Sequence, residues 1–266
     1  MIRIDIDPNI ISIGQFTLAW QGVFSAIGII VGILLTLALL RGGNISDDDV
    51  YTLALWAVVG GIIGARLFHV VDDWGFYSKN PAQIIAMNEG GLSLYGAIVV
   101  GTFSVLVAML VKHVAVGRFL DAGALGLVLG QAVGRAGDII SGAQHGLPTG
   151  WAIGVRYIHP NTLGEPGKVV HLAVGYEMVW DLIILAVLLL LRKRLTRDGM
   201  VYGLYTALYG FGRFFISFTR ADSRTSLGLS QDQIIALFLT AVSVIALAWM
   251  GARSPQMKET VAKVEA

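Results

Sequence analysis

Apolar residues along this chain gather into seven long runs: Phe16–Leu40, Tyr51–Val71, Leu92–Val111, Leu120–Val133, Tyr176–Leu191, Val201–Phe218 and Ile234–Met250. A bilayer core needs roughly 20 apolar residues per helix. The pattern therefore predicts an all-α integral membrane protein, a bundle of seven transmembrane helices forming one domain over residues 1–266. The fourth run is short because it meets "GRAGDIISGAQHGLPTG", residues 134–150, an unusual mix of charge and glycine. Polar pattern outside the runs predicts smaller features. "IRIDIDP" alternates apolar and acidic residues, as a short strand or surface segment does. "WGFYSKNPAQIIAM" suits a helix lying at the headgroup level. An external arm is expected over about residues 147–172, where Pro160, Gly164, Pro166 and Gly167 mark turns. A cytoplasmic tail is expected over about residues 251–266.

Composition agrees with a membrane reading. The chain is 55% hydrophobic and 14% charged, with a mean hydropathy of +0.72, against about 25% charged residues in a soluble domain. Its net charge of +1 offers no footprint for nucleic acid, which is not an expected partner. With no cysteine, disulfides, a thiolate metal site and a cysteine nucleophile from this chain are excluded. The five histidines show no metal-ligand spacing, and no nucleotide loop is present, so neither metal nor cofactor is expected. The N-terminal run is too long for the apolar core of a signal peptide.

Seven spans put the termini on opposite sides, and basic residues in the loops orient them. One set of loops holds Arg41; Lys112 and Arg118; Arg192, Lys193, Arg194 and Arg197; then Arg253, Lys258 and Lys263. The other set has scattered cations, often beside acids. The N-terminus is thus expected outside and the C-terminus in the cytoplasm, with the 134–150 passage opening outward.

The spans carry charges of their own. Arg66, Arg135 and Arg213 lie within or at the end of runs, and Arg220 just beyond one. An arginine in hydrocarbon costs a few kcal/mol even on the lenient insertion scale, so each needs an interior partner or a hydrated cavity. Acids at that depth are Asp138, Glu177 and Asp181. A lone arginine can simply pin two helices. Several converging at one depth suit a bound anion, since guanidinium grips phosphate in two-pronged fashion and the abundant phosphate in a membrane is the lipid headgroup. The glycines of "GGIIGAR" fit close helix packing. "GGLSLYG" fits either a turn or a helix N-terminus whose free N–H groups face an anion.

Four motifs resemble those of prolipoprotein diacylglyceryl transferases. "GRAGDIISGAQHG" is similar to G-R-x-G-N-F-x-N-x-E-x-x-G, "GGLSLYGA" to G-G-[LM]-S-[FI]-H-G-G, "HLAVGYE" to H-P-[ST]-Q-L-Y-E, and "GFGRFFISFTRAD" to G-x-x-R-F-[IV]-x-E-x-x-R-x-x-D. Their order and spacing match across nearly the whole chain. Arg135, Gly137, Gly142, Gly146, Arg213 and Arg220 keep the pattern. Tyr95 stands for the usual histidine, Asp138 and Ser141 for asparagines, Ala143 for glutamate, and Gln21 for a first-span tyrosine.

The resemblance implies transfer of the diacylglyceryl group from phosphatidylglycerol to the lipobox cysteine of a prolipoprotein, with glycerol-1-phosphate leaving, in a bacterial plasma membrane. Negative charge builds on the departing phosphate, and preorganised guanidiniums would stabilise it. Arg135 and Arg220 are expected to hold the phosphate from two sides. Asp138, three residues from Arg135, is expected to orient it on one helical face. Tyr95 is expected to act chiefly as a hydrogen-bond donor, because a neutral phenol is a poor base at pH 7. Gly137, Gly142, His145, Gly146, Gln21, Ser93 and Glu177 are expected to line the substrate site. Arg66 and Arg213 are expected to be mainly structural. Two other classes fit parts of the pattern: a catalytically impaired relative that binds phospholipid or lipoprotein precursor, motivated by Tyr95 and Ala143, and a small transporter, which the lack of inverted repeats disfavours.

Overall fold

A computed structural model of the chain describes residues 1–14, 16–85, 91, 93–221 and 228–252, apart from the side chains of Phe16, Leu94 and Tyr95. Its long helices are α1 (Trp20–Leu40), α2 (Asp47–Asp72), α4 (Leu94–Val111), α5 (Val116–Ser141), α6 (Ala173–Leu191), α7 (Met200–Ile216) and α8 (Gln231–Ala252); α3 (Trp74–Tyr77) is a single turn. Among the described residues, five of these (α1, α2, α5, α6 and α8) are long and apolar enough to cross a membrane, and the chain is a mainly helical membrane protein. α4 and α7 are shorter, 18 and 17 residues.

Three boundaries differ from the sequence expectation. Phe16–Ala19 is strand β3 rather than the start of a span, paired antiparallel with β2 (Asn9–Ile13). The interfacial stretch is not one helix but α3 followed by a 3-10 turn at Pro81–Ile85; Asn80 and Pro81 interrupt it, since proline restricts the residue before it. The fourth run is not short: α5 continues through "GRAGDIIS" for 26 residues. Apolar periodicity hid that continuation because its charged members pair with one another. The helix stops at Gly142, whose φ of 75° is the left-handed conformation glycine adopts freely at a helix end.

Helix ends are well satisfied where the sequence signals them. Ser46 and Asp49 form a capping box at α2, with Asp49 N–H donating to Ser46 Oγ at 3.1 Å. The start of α7 is capped from another helix: Gly199 and Tyr202 N–H donate to the Asp121 carboxylate of α5 at 2.8 and 2.9 Å.

Close glycine contacts set the helix pairs. A Cβ on Gly130 would lie 2.7 Å from Gly28 O, and one on Gly32 2.7 Å from Gly126 O, so α1 and α5 touch backbone to backbone. The "GGIIGAR" face of α2 meets α4 in the same way, with Gly64 against Gly96, as a small-residue face allows. Thr206 of α7 shares a 2.8 Å hydrogen bond with Ser243 of α8. A core of Ala124, Leu125, Val128, Ile184, Leu188, Val201 and Tyr205 joins α5, α6 and α7.

A small sheet lies over one end of this bundle. β1 (Ile2–Ile4) runs parallel to β4 (Val155–Tyr157), which pairs antiparallel with β5 (Val169–Val170). The alternating N-terminal segment is thus a strand, and residues 147–172 contribute the other two. Buried Tyr157 anchors the sheet to the bundle by donating its hydroxyl to Ile139 O of α5 at 3.0 Å. Burial, with the Asp138 carboxylate adding, pushes that phenol up to about 12.

Candidate active site

Under the sheet, the ends of α5 and α7 meet the starts of α6, α8 and the sheet connection. Each contributes a charged or polar group because its sequence places one at that terminus. Arg135 and Asp138 fall three apart on α5 and form an ion pair at 3.4 Å, the shared face expected of that spacing. Glu177 sits in the second turn of α6, 5% exposed. It is the hub of the arrangement. Arg135 Nη2 lies 2.9 Å from its Oε2, Arg220 Nη1 3.3 Å from its Oε1, and Arg213 pairs with the same oxygen. Arg213 also pairs with Asp232 at the start of α8. Three guanidiniums therefore converge among three carboxylates, Asp138, Glu177 and Asp232.

One acceptor in the cluster is neutral. Gln144 Oε1 receives hydrogen bonds from Arg135 Nη1 at 3.4 Å and Arg220 Nη1 at 3.2 Å. Gln144 is exposed, and its backbone is left-handed, φ 53°, in the turn that follows α5. Its amide oxygen thus marks a point that both arginines reach at once.

The remaining residues of the 134–150 passage shape the approach. A Cβ on Gly137 would lie 2.8 Å from Gln21 Cα and 2.9 Å from Trp20 O, so Gly137 admits the start of α1. That contact brings the Gln21 side chain to Asp138. A Cβ on Gly142 would meet Gly164 N at 2.9 Å, and one on Gly146 would meet Thr219 O at 2.6 Å. Gly146 forms an antiparallel bridge with Arg220, which fixes that arginine beside the signature passage. His145 is half-buried with Glu165 in electrostatic range.

Two predicted positions lie apart. Arg66 is buried on α2 and donates to backbone carbonyls: Nε to Ile84 at 2.7 Å, Nη1 to Gly91 at 3.0 Å and Nη2 to Gln83 at 2.5 Å, with Tyr77 under its charge at 5.2 Å. Ser93 caps α4, its side chain accepting from Gly96 N–H at 3.5 Å. Tyr95 belongs to the first turn of α4, and its side chain lies outside the described residues. Sequence reasoning missed Gln144 and Asp232. Gln144 sits inside the 134–146 motif at a position without a distinctive residue type, Asp232 sits in the first turn of α8 beyond the last motif, and only the convergence of helix ends gives them a partner.

The family model described as prolipoprotein diacylglyceryl transferase matches residues 8–249. Similar relatives include proteins of Dehalococcoides mccartyi strain BAV1, 36% identical over 92% of this chain and 94% of their own length, and Clostridioides difficile, 33% identical over 88% and 92%. A protein of Nostoc sp. is 30% identical over 96% of this chain and 93% of its own. All three bear the name phosphatidylglycerol–prolipoprotein diacylglyceryl transferase.

Proposed function

This chain belongs to the prolipoprotein diacylglyceryl transferase family, and from that premise we propose that it moves the diacylglyceryl group of phosphatidylglycerol onto the lipobox cysteine thiol of a prolipoprotein signal peptide. The observation that carries the site assignment is the shared contact of Arg135 and Arg220 with Gln144 Oε1. A phosphate oxygen placed there meets both guanidiniums and displaces only a neutral amide. Glu177 and Asp138 then hold the arginines in position.

The bonds balance simply. Sulfur forms a bond to the glyceryl carbon, the bond from that carbon to the phosphate oxygen breaks, the thiol proton passes to Asp138, His145 or water, and glycerol-1-phosphate is released. Charge grows on the phosphate as that bond breaks, and fixed guanidiniums stabilise the growing charge without reorganising. Tyr95 donates a hydrogen bond to the lipid or to the leaving phosphate. Gly137, Gly142 and Gly146 allow backbone, lipid and peptide to approach, with Gln21 and His145 lining the way. Arg66 and Arg213 hold helices together. The whole chain acts as one membrane domain of seven spans in the bacterial plasma membrane, N-terminus outside and C-terminus in the cytoplasm, with the sheet as an external head over the site.

The test is rescue of a bacterium depleted of its own transferase. Wild-type chain should restore growth and lipoprotein modification. Arg135→Ala and Arg220→Ala should insert normally and lower transfer by roughly 100-fold or more, the scale of losing one charge-stabilising donor. Lysine at either position should recover little, lacking the two-pronged grip. Full activity in either alanine variant would remove the phosphate role, and failure of the wild type would favour a relative that binds lipid without catalysis.

A further inference from the structure

Asp181 takes no part in the cluster described above. It lies on α6 four residues beyond Glu177, hence on the same face and about one turn, ~5.4 Å, further into the bundle. It is 2% exposed, and its Oδ2 is buried with no hydrogen-bond partner. Among the described residues no ion pair reaches it either. Together with Glu177, Trp180, Tyr209, Arg213 and Ile216 it lines a small cavity. No donor in that wall, the Tyr209 hydroxyl included, is bonded to Oδ2, and two of them are committed elsewhere. Trp180 Nε1 donates to Leu208 O at 3.0 Å, and Arg213 is held by Glu177 and Asp232.

A carboxylate with neither cation nor donor at bonding distance is costly in a low-dielectric interior, and it takes up a proton instead. The neutral acid then carries one O–H donor, which the structure leaves unbonded, the Glu177 carboxylate in the same wall being taken by three arginines. Such a group calls for an acceptor from outside the chain. In a phosphatidyl lipid whose phosphate sits at the arginines, the next acceptors inward are the acyl ester carbonyls.

We propose that Asp181 donates a hydrogen bond to an acyl ester carbonyl of the lipid substrate and so fixes the glyceryl carbon beneath the arginine cluster. The proposal rests on the reading that Arg135 and Arg220 hold the phosphate. It makes Asp181 a residue that recognises ester-linked diacylglycerol, distinct from a proton acceptor, because a neutral acid has no capacity to take the thiol proton.

The experiment compares two substrates in purified full-length protein with a lipobox peptide as acceptor: phosphatidylglycerol with ester-linked chains, and its dialkyl ether counterpart, which has no carbonyls. Wild type should favour the diester in kcat/KM by roughly 10-fold, the value of one hydrogen bond. Asp181→Ala should lose that preference by slowing on the diester alone. Asp181→Asn, which keeps an N–H donor of similar shape, should retain it. An Asp181→Ala variant slowed equally on both lipids would reduce the residue to a structural role. An Asp181→Asn variant slowed as much as Asp181→Ala would point to proton transfer instead. Should the alanine variant fail to insert, the wild-type preference and the Asn variant decide. Wild type active on both lipids without preference overturns this inference alone, whereas wild type inactive on both overturns the transferase reading beneath it.

Discussion

Gln144 sits where a competing charge would do most harm. Its oxygen accepts from Arg135 and Arg220, the two guanidiniums assigned to the phosphate. Gln144→Glu puts a carboxylate at that point. It should bind the arginines more strongly than the amide, since hydrogen bonds to ionised acceptors are roughly twice as strong, and phosphate must then displace it. The expected result is a KM for phosphatidylglycerol raised about 10-fold or more at low salt, with less change in kcat. Gln144→Ala should leave KM within a few-fold of wild type. An unchanged KM in Gln144→Glu would separate the phosphate from this point. Sequence spacing made Arg135 and Asp138 legible as neighbours, because helical periodicity alone fixes an i, i+3 pair. It left Glu177 as one acid among several. Its role as hub comes from three elements far apart in the chain, α5, α7 and the segment after α7, arriving at one place. No local pattern encodes that meeting.

At the scale of the helices, glycine decides which pairs can form. On α5, Gly130 faces Gly28 of α1, and an added Cβ would lie 2.7 Å from a backbone oxygen that cannot turn aside. Gly123, seven residues earlier on the same helix, has nothing within 4 Å. The two substitutions should therefore behave oppositely. Gly130→Ala should force α1 and α5 apart and destabilise by about 1–3 kcal/mol, the usual cost of overpacking. Gly123→Ala should be neutral or stabilising by up to about 1 kcal/mol, because alanine is the better helix former. Thermal unfolding of the purified protein in detergent distinguishes them, and equal effects would mean that the contact does not hold the pair. The sequence revealed the small-residue faces but not which faces meet. It also misjudged the end of α5 and the start of α1. In the first case a charged passage ended the apolar run, yet Arg135 is paired with Asp138 on the same helix and with Glu177 of α6. In the second, Phe16–Ala19 is apolar enough to extend a span but pairs with Asn9–Ile13 as a hairpin.

For the whole molecule, the contacts sort the connections into two groups. Lys112 pairs with Asp49 at 3.5 Å, Arg118 with Asp198 at 3.2 Å, and Asp121 caps α7, so the α1–α2, α4–α5 and α6–α7 connections gather at one end. The sheet and the arginine cluster gather at the other. Arg41, Lys112, Arg118, Arg192, Lys193, Arg194 and Arg197 all belong to the first group, which by the positive-inside tendency faces the cytoplasm. On the proposed orientation the cluster opens outward and α1 runs from outside to inside. Reporter fusions should place residue 150 outside and residue 195 in the cytoplasm. The consequence is chemical as well as topological. If Arg135 and Arg220 hold the phosphate at the outer end, as proposed, phosphatidylglycerol must be drawn from the outer leaflet, headgroup foremost. The acceptor cysteine must arrive on a peptide that has already crossed. A reporter at residue 150 found in the cytoplasm would reverse both, placing the phosphate site on the side where the peptide has yet to be exported.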